Sequence, residues 1–255
     1  MTSVLSVQNL AKSFGGVQAV KDVSFDLAKG ELLAFIGPNG AGKTTTFNML
    51  NGQLKANSGS VKFNGEEIIG REPRDVWKMG VGRTFQITAT FGTMTVLENV
   101  QTALMSYHRN LFSLFGKSSK HHVDDALALL DLVGLESQSH RACNVMAYGD
   151  LKRLELAIAL ANDPKLLLMD EPAAGMAPLE RIGLMQLTAD IVKERNISVL
   201  FTEHDMDVVF AHAHRIIVLN RGELIAEGTP EEVRNNERVQ EVYLGGGSTF
   251  KDEED

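Results

Sequence analysis

The run from Gly37 to Thr44 constrains the fold of this chain more than any other feature. It reads Gly-Pro-Asn-Gly-Ala-Gly-Lys-Thr and fits the pattern G-x-x-x-x-G-K-[ST]. The mostly apolar residues 31–36 before it predict a short buried strand, and residues 45–50 after it begin a helix. Glycines between a strand and a helix let successive backbone N–H groups curl around phosphate oxygens. The run therefore predicts an α/β protein that binds a nucleotide at this loop.

The chemistry of such a loop assigns roles to its residues. The helix N-terminus adds partial positive charge, the Lys43 ammonium can reach the β- and γ-phosphates, and the Thr44 hydroxyl can ligate Mg²⁺. The nucleotide contacts expected from the loop are Asn39, Gly40, Gly42, Lys43, Thr44 and Thr45. The loop thus predicts a nucleotide as the ligand and Mg²⁺ as its companion ion, and the family resemblance given below makes that nucleotide ATP.

Acidic residues follow a second apolar run much further along the chain. Residues 166–169 read Leu-Leu-Leu-Met, and Asp170 and Glu171 come directly after them. The carboxyl ends of strands in an α/β sheet are where ligands bind. We therefore expect Asp170 to hold Mg²⁺ through a water molecule and Glu171 to act as general base toward the attacking water.

Two further polar residues also follow apolar stretches. His204 comes just after the predicted strand 198–202, and can donate to the γ-phosphate while holding the water and Glu171 in register. Gln86 follows the apolar patch 79–81, and its amide can bind Mg²⁺ or water. The expected catalytic residues are Glu171, His204, Gln86 and Lys43. The expected metal ligands are Thr44, Gln86 and Asp170.

Composition limits the class of protein. The chain has 255 residues with 44% apolar content, enough for one large domain or a domain with a subdomain. The net charge of −8 disfavours a broad nucleic-acid-binding face, and we expect no nucleic-acid partner. Cys143 is the single cysteine, so no internal disulfide can form, and we expect it to be a structural thiol. The start lacks the features of a signal peptide, and no apolar run approaches the ~20 residues that span a bilayer.

Periodicity predicts alternating strands and helices. The first thirty residues read as two strands joined through residues 13–16, and residues 95–137 read as mostly helical with a break at 116–119. The other expected strands are 60–65, 165–169, 198–202 and 215–219, the last with a hairpin at 220–222; the other expected helices are 72–80, 151–161, 179–194 and 206–212. Such alternation predicts a mostly parallel sheet flanked by helices, with a helical insert.

The order of these motifs along the chain resembles the ATP-binding subunit of an ABC transporter, over essentially the whole sequence. The resemblance adds a signature segment at 146–157, Met-Ala-Tyr-Gly-Asp-Leu-Lys-Arg-Leu-Glu-Leu-Ala, placed before a helix. It implies a P-loop core with a mostly parallel sheet, an antiparallel β subdomain and a helical subdomain. The implied bounds are 1–86 with 163–244 for the core and β subdomain, 87–162 for the helical subdomain and 245–255 for a charged tail.

The same resemblance implies how the subunit works. Two such subunits pack head to tail, so that Gly149 closes on the ATP held by the partner's phosphate loop. Phe14 matches the aromatic residue that stacks on adenine.

Three residues depart from the family pattern. Ala147 lacks the usual serine hydroxyl, and Ala177 stands at a common Asp or Asn position in the dimer-contact loop. Asp150 replaces glutamine and puts a carboxylate where an anionic nucleotide approaches, so we expect it to be turned away or paired with Lys152 or Arg153.

Local features resemble the LivG type, the ATP-binding subunits of importers of branched-chain or other hydrophobic amino acids, a group that also handles urea, amides and aromatic acids. The features are residues 81–86, 94–100, 171–175, the insert 111–122 and the ending 227–245. The resemblance implies transmembrane permease subunits, a second ATP-binding subunit of the same or another kind and, indirectly, a solute-binding protein as partners. The expected location is the cytoplasmic face of the inner membrane, with Phe91, Met94 and Leu97 as candidate permease contacts.

Three alternatives stay open at this point. A lipopolysaccharide-export ATPase shares the Tyr-Leu-Gly ending, but the Thr-Phe-Gln loop and the long insert argue against it. Soluble ABC proteins acting on ribosomes or DNA usually carry two cassettes or a coiled coil, which this sequence lacks. A non-hydrolytic regulatory module is disfavoured by the presence of both Glu171 and His204, and only Asp150 favours it.

Overall fold

The computed structural model describes residues 3–84, 90–108 and 122–244. Its strands are β1 Ser3–Phe14, β2 Val17–Ala28, β3 Leu32–Ile36, β4 Ser58–Phe63, β5 Glu66–Glu67, β6 Val81–Thr84, β7 Leu166–Asp170, β8 Ser198–Thr202, β9 Arg215–Asn220 and β10 Glu223–Gly228. Its helices are α1 Lys43–Leu50, α2 Pro73–Lys78, α3 Val96–Tyr107, α4 Val123–Leu132, α5 Tyr148–Leu160, α6 Pro178–Arg195, α7 Met206–His212, α8 Pro230–Arg234 and α9 Glu237–Leu244. No helix within those residues is long and apolar enough to cross a membrane.

The strands form two sheets. One is antiparallel, in the order β2-β1-β4-β5. The other has the order β10-β9-β3-β8-β7-β6, and its neighbours are parallel except for the β9–β10 hairpin. This arrangement confirms the predicted α/β class with a mostly parallel sheet and a separate antiparallel sheet.

The parallel sheet has an apolar core on each face. Side chains alternate across a strand, and those of β3 alternate between two clusters. Leu32, Ala34 and Ile36 pack with the apolar faces of helices α3 to α6, whereas Leu33 and Phe35 pack with α1 and the antiparallel sheet. Burial on both faces explains why β3, β7 and β8 read as continuous apolar runs.

Left-handed residues form the tight turns of the hairpins, and the sequence predicted two of these turns, at 13–16 and 220–222. Asn64 and Gly65 have φ of 49° and 84° and join β4 to β5, the left-handed pair that an Asn-Gly turn favours. Arg221 and Gly222 have φ of 49° and 83° and join β9 to β10. Residues 15 and 16 join β1 to β2.

Several predicted bounds are wrong by a few residues. The main correction is that α5 begins at Tyr148 rather than Leu151, because Ala147 has extended backbone and serves as N-cap, so Gly149 and Asp150 lie in the first turn. Strand β7 extends to Asp170, since its ladder with β8 continues to Thr202. In the predicted stretch 95–137, the described residues 95–108 and 122–137 contain helices α3 and α4, and the predicted break at 116–119 lies outside the described residues.

Candidate nucleotide and hydrolysis site

The phosphate loop connects β3 to α1, and at two of its positions the surrounding backbone leaves room only for glycine. A Cβ on Gly37 would lie 2.2 Å from the Leu219 carbonyl oxygen, and one on Gly42, at φ 106°, would lie 2.4 Å from that of Ala19. The neighbouring atoms are backbone and cannot move aside cheaply. Strands β2 and β9 therefore hold the loop closely, and the Gly222 amide adds a 2.9 Å hydrogen bond to the Ala41 carbonyl.

Lys43 lies folded over this loop. Its side chain is buried, with the residue 6% exposed, and Nζ donates to the Gly37 carbonyl at 2.6 Å. Burial lowers the pKa of Lys43, and the nearby charges of Glu171 and Asp170 oppose that shift. The ammonium thus lies near both acidic residues, as the sequence predicted for one shared site.

The other loop residues face outward. Asn39, Gly40 and Thr44 are exposed and Thr45 is half-buried, so their backbone and hydroxyl groups can meet a ligand from solvent. Thr44 lies in the first turn of α1, where the helix dipole favours an anion.

Asp170 ends β7 as a buried carboxylate, 5% exposed. Thr202, directly opposite on β8, donates its hydroxyl to Oδ1 at 2.9 Å. Arg83 on β6 approaches Oδ2 at 3.7 Å and donates to the Asn48 amide oxygen at 2.9 Å. Asp170 and the Thr44 hydroxyl supply hard oxygen donors, the type Mg²⁺ prefers, so the residues present fit that ion.

Glu171 and His204 meet beyond the ends of β7 and β8. Glu171 Oε1 lies 2.8 Å from His204 Nε2. The backbone of Glu171 is left-handed, with φ 50°, an uncommon conformation that the structure holds with two contacts to its N–H. The Glu171 N–H donates to the Thr202 hydroxyl oxygen at 3.0 Å and to the Thr202 carbonyl oxygen at 3.2 Å. The predicted base and histidine are therefore in direct contact.

Buried polar contacts connect the loops that follow β7 and β8. Glu203 accepts hydrogen bonds from the backbone N–H groups of Ala173 at 3.1 Å and His204 at 3.0 Å. Burial raises the pKa of Glu203, although these hydrogen bonds favour its ionised form. Arg181 on α6 also pairs with Asp205.

Sequence reasoning missed Arg83, Thr202, Glu203 and Arg181. Thr202 and Glu203 stand directly before His204, and this position was the one available signal for them. Arg83 lies in the segment 81–86, which resembles the LivG type, but the sequence indicated no role for its side chain.

The signature segment packs against the loop after β7. The Tyr148 hydroxyl donates to the Ala174 carbonyl at 3.0 Å, and a Cβ on Gly149 would lie 3.3 Å from the Glu180 carboxyl group. Asp150 accepts a hydrogen bond from Gln138 Nε2 at 3.2 Å. The expected pairing with Lys152 or Arg153 is wrong: Lys152 forms a buried ion pair with Glu155 at 3.2 Å, because both face inward from α5.

The remaining predicted residues have different outcomes. Phe14 ends β1 and is 51% exposed, with Lys12 Nζ 5.3 Å from its ring centre, so the ring is open to a ligand. Gln86 lies outside the described residues. Leu97 was expected at the surface but lies in the core on the inner side of α3, whereas Phe91 is 56% exposed.

Comparison with known sequences assigns the family. A sequence model described as "ABC transporter" matches residues 20–174, and one described as "Branched-chain amino acid ATP-binding cassette transporter" matches residues 223–249. The chain is 40% identical to the high-affinity branched-chain amino acid transport ATP-binding protein LivG of Salmonella typhimurium, over 95% of this chain and 98% of that protein. It is 38% identical to the high-affinity branched-chain amino acid transport ATP-binding protein BraF of Pseudomonas aeruginosa, over 95% of this chain and 98% of that protein.

Solved structures agree with the sequence relatives. An ATP-binding cassette of an ABC transporter in its ADP conformation superposes with a TM-score of 0.86, 31% identity and coverage of 96% of this chain and 100% of that one. A dimeric cassette in a post-hydrolysis state with ADP and Pi gives a TM-score of 0.76 at 26% identity, covering 89% and 98%. The fold, the motif order and these similarities place the chain in the ABC transporter family, as an ATP-binding cassette that hydrolyses ATP.

Proposed function

We propose that this chain is the ATP-hydrolysing subunit of an importer for branched-chain or other hydrophobic amino acids, or for related amides or urea. The observation that carries the proposal is the similarity to LivG and BraF along nearly the full chain, together with the match of residues 223–249 to the branched-chain amino acid cassette family. Neither lipopolysaccharide export nor a soluble role has comparable support.

The proposed chemistry divides the reaction among residues already described. The phosphate loop binds the β- and γ-phosphates through its backbone N–H groups and Lys43, and Phe14 stacks on adenine. Thr44, Asp170 and Gln86 are the residues that would hold Mg²⁺. When bound, the ion neutralises charge on the phosphates.

Proton transfer falls to Glu171 and His204. Glu171 takes a proton from the attacking water as general base. The 2.8 Å contact with His204 Nε2 holds the carboxylate in place, and His204 can then donate to the γ-phosphate. Two contacts to the Glu171 amide fix the backbone from which this carboxylate extends.

The proposed assembly pairs this chain with a second ATP-binding subunit, of its own or another kind. Gly149, in the first turn of α5, approaches the nucleotide of that partner, where a side chain would be in the way and the helix dipole favours an anion. The domain bounds expected from the sequence, 1–86 with 163–244 and 87–162, describe the two parts that would move against each other.

A small apolar patch suits the contact with the permease subunits. Phe91 and Val145 are exposed and Met94 is half-buried. They lie together because Gly92 accepts a hydrogen bond from the Asn144 amide at 3.0 Å, and Met94 one from the Cys143 amide at 3.0 Å. The assembly would sit on the cytoplasmic face of the membrane and receive solute indirectly, from a solute-binding protein.

The test is capture of the assembly. The Glu171→Gln variant, with MgATP, should slow hydrolysis and trap the ATP-bound complex, which is then purified from native membranes and identified by mass spectrometry. Multi-span permease subunits and an ATP-binding partner are expected. The matched control is the double variant Glu171→Gln/Lys43→Ala, which should lose ATP and therefore the second cassette.

Capture alone leaves the solute open, so uptake of labelled leucine, phenylalanine and urea should be compared in cells with and without this chain. Loss of leucine uptake supports the amino acid assignment. Recovery of ribosomes, DNA-repair proteins or this chain alone contradicts the transporter proposal.

A further inference from the structure

A buried arginine on β6 contacts both elements that carry the proposed Mg²⁺ ligands. The side chain of Arg83 is 9% exposed, and its Nη2 donates to the Asn48 amide oxygen at 2.9 Å and lies 3.7 Å from Asp170 Oδ2. Its Nη1 donates to the Gln53 amide oxygen at 3.1 Å. Asn48 belongs to α1, Gln53 follows that helix and Asp170 ends β7. A single side chain thus joins the helix after the phosphate loop to the strand that ends in the acidic residue.

Strand pairing explains why Arg83 reaches this position. In the parallel ladder of β6 and β7, Arg83 lies beside Leu168, two residues before Asp170. Side chains two residues apart on a strand point to the same face of a sheet. Leu168 belongs to the same core cluster as Phe47 and Leu50 of α1, so this is the face that α1 covers. Arg83 and Asp170 therefore meet in the space between the sheet and α1.

The contact with α1 bears on the second proposed ligand. Asn48 lies four residues after Thr44, which is in the first turn of this helix. Residues four apart are neighbours on one side of a helix. The hydrogen bond from Arg83 to Asn48 therefore restrains the side of α1 that carries the Thr44 hydroxyl. The same guanidinium group restrains Asp170 from β6.

A guanidinium group suits such a bridge, because its donors are fixed in one plane and can serve several acceptors at once. Its charge also compensates the Asp170 carboxylate, which is 5% exposed. The 3.7 Å distance to Oδ2 is longer than a hydrogen bond, so Arg83 lies beside this oxygen without occupying it. The arrangement therefore holds α1 and β7 together and leaves Oδ2 able to face a ligand.

We propose that Arg83 is a positioning residue for Mg²⁺, which sets the distance between the Thr44 hydroxyl on α1 and the Asp170 carboxylate on β7. It acts through these two residues and through Asn48, and not as a ligand of the ion. The inference rests on the proposed Mg²⁺ ligation by Thr44 and Asp170.

The test breaks the bridge in two ways. Arg83→Lys keeps the positive charge and loses the planar fork, and Asn48→Ala keeps Arg83 but removes its partner on α1. The measured quantity is the Mg²⁺ effect, defined as the dissociation constant of AMP-PNP in EDTA divided by that in excess MgCl₂, both from titration calorimetry. This ratio depends on metal binding and needs no hydrolysis.

The expected changes follow from the contacts that each variant loses. Removing a side chain that orients metal ligands weakens metal binding by roughly 10- to 100-fold, so the Mg²⁺ effect should fall by about tenfold or more in Arg83→Lys. Asn48→Ala loses one hydrogen bond, and a fall of about three- to tenfold is expected. The dissociation constant in EDTA should stay close to that of the wild type, because neither variant removes a group proposed to bind the phosphates.

The chain supplies a matched control at the opposite edge of the same sheet. Arg215, at the start of β9, donates through Nε to Glu31 Oε1 at 2.7 Å and through Nη2 to Oε2 at 3.0 Å. Arg215→Lys also breaks a fork, but one far from the carboxyl ends of the strands. It should leave the Mg²⁺ effect unchanged. Thermal unfolding without nucleotide or metal records the loss of stability in each variant.

The outcomes separate the alternatives. A lower Tm for Arg83→Lys with a Mg²⁺ effect equal to or above that of the wild type would overturn the inference and leave only a structural role. An unchanged Mg²⁺ effect in Asn48→Ala would overturn it as well, because the link to α1 would then not matter. If Asp170→Asn keeps the wild-type ratio, the proposed Mg²⁺ site itself fails. If Asp170→Asn loses the Mg²⁺ effect and Arg83→Lys does not, only the role of Arg83 fails.

Discussion

The Thr202 hydroxyl contacts both acidic residues of the site, Asp170 and Glu171. Replacing Thr202 should therefore change both the stability of the fold and the activity. The side chain is fully buried. Its Oγ1 donates to Asp170 Oδ1 at 2.9 Å and accepts the Glu171 N–H at 3.0 Å. Thr202→Val keeps the shape and removes both contacts, so no cavity contributes to the result.

The magnitude follows from the two bonds. A hydrogen bond to an ionised carboxylate contributes about 1.5–3 kcal/mol, and a neutral one about 0.5–1.5 kcal/mol. The loss of the hydrogen bond from the Glu171 N–H is partial, because that N–H still lies 3.2 Å from the Thr202 carbonyl oxygen. We therefore expect the free energy of unfolding to fall by about 2–4 kcal/mol.

Activity should fall as well, through the proposed Mg²⁺ ligand. A carboxylate that loses the group orienting it binds metal roughly 10- to 100-fold more weakly. The Mg²⁺ concentration that half-saturates ATP hydrolysis should rise accordingly in Thr202→Val. Thr202→Ser retains the hydroxyl and should restore most of this loss.

The matched control is Thr188→Val in α6. Thr188 is equally buried, but its hydroxyl donates only to the Leu184 carbonyl, at 2.8 Å. Its replacement should cost at most about 1.5 kcal/mol and leave the Mg²⁺ dependence unchanged. Urea unfolding and phosphate-release assays measure both effects. Equal destabilisation of the two valine variants, with wild-type Mg²⁺ dependence in Thr202→Val, would refute the reasoning.

Three further predictions concern single residues. Glu171→Gln should reduce ATP turnover by about 10²–10⁴-fold, measured as phosphate release, with ATP affinity within a few-fold of wild type; a loss below tenfold would exclude Glu171 as the base. Asp150→Gln should raise turnover of the assembled transporter at fixed ATP, because it removes a negative charge from the segment that we propose faces the partner's nucleotide, and equal or lower turnover would contradict this. Burial and the charge of Glu98 raise the pKa of Cys143, so less thiolate forms at pH 8 and a thiol reagent should label the unfolded chain far faster than the native one. Rapid, stoichiometric labelling of the native protein would show the thiol to be accessible.

The sequence by itself determined the features that depend on local residue chemistry. The glycine pattern of 37–42 requires a loop that side chains would block, and the collisions at Gly37 and Gly42 give the reason. Continuous apolar runs ending in Asp170 and Thr202 predicted buried parallel strands, because such strands are covered on both faces. The placement of Glu171 and His204 at one edge of the sheet followed from their positions directly after apolar runs, because the carboxyl ends of parallel strands meet there.

The tertiary structure alone decided the contacts between residues that are distant in sequence. Register between β7 and β8 puts Thr202 opposite Asp170, and no local pattern encodes a register. The direction in which a helix faces decided that Gln138 pairs with Asp150, that Lys152 turns inward to Glu155 and that Leu97 enters the core.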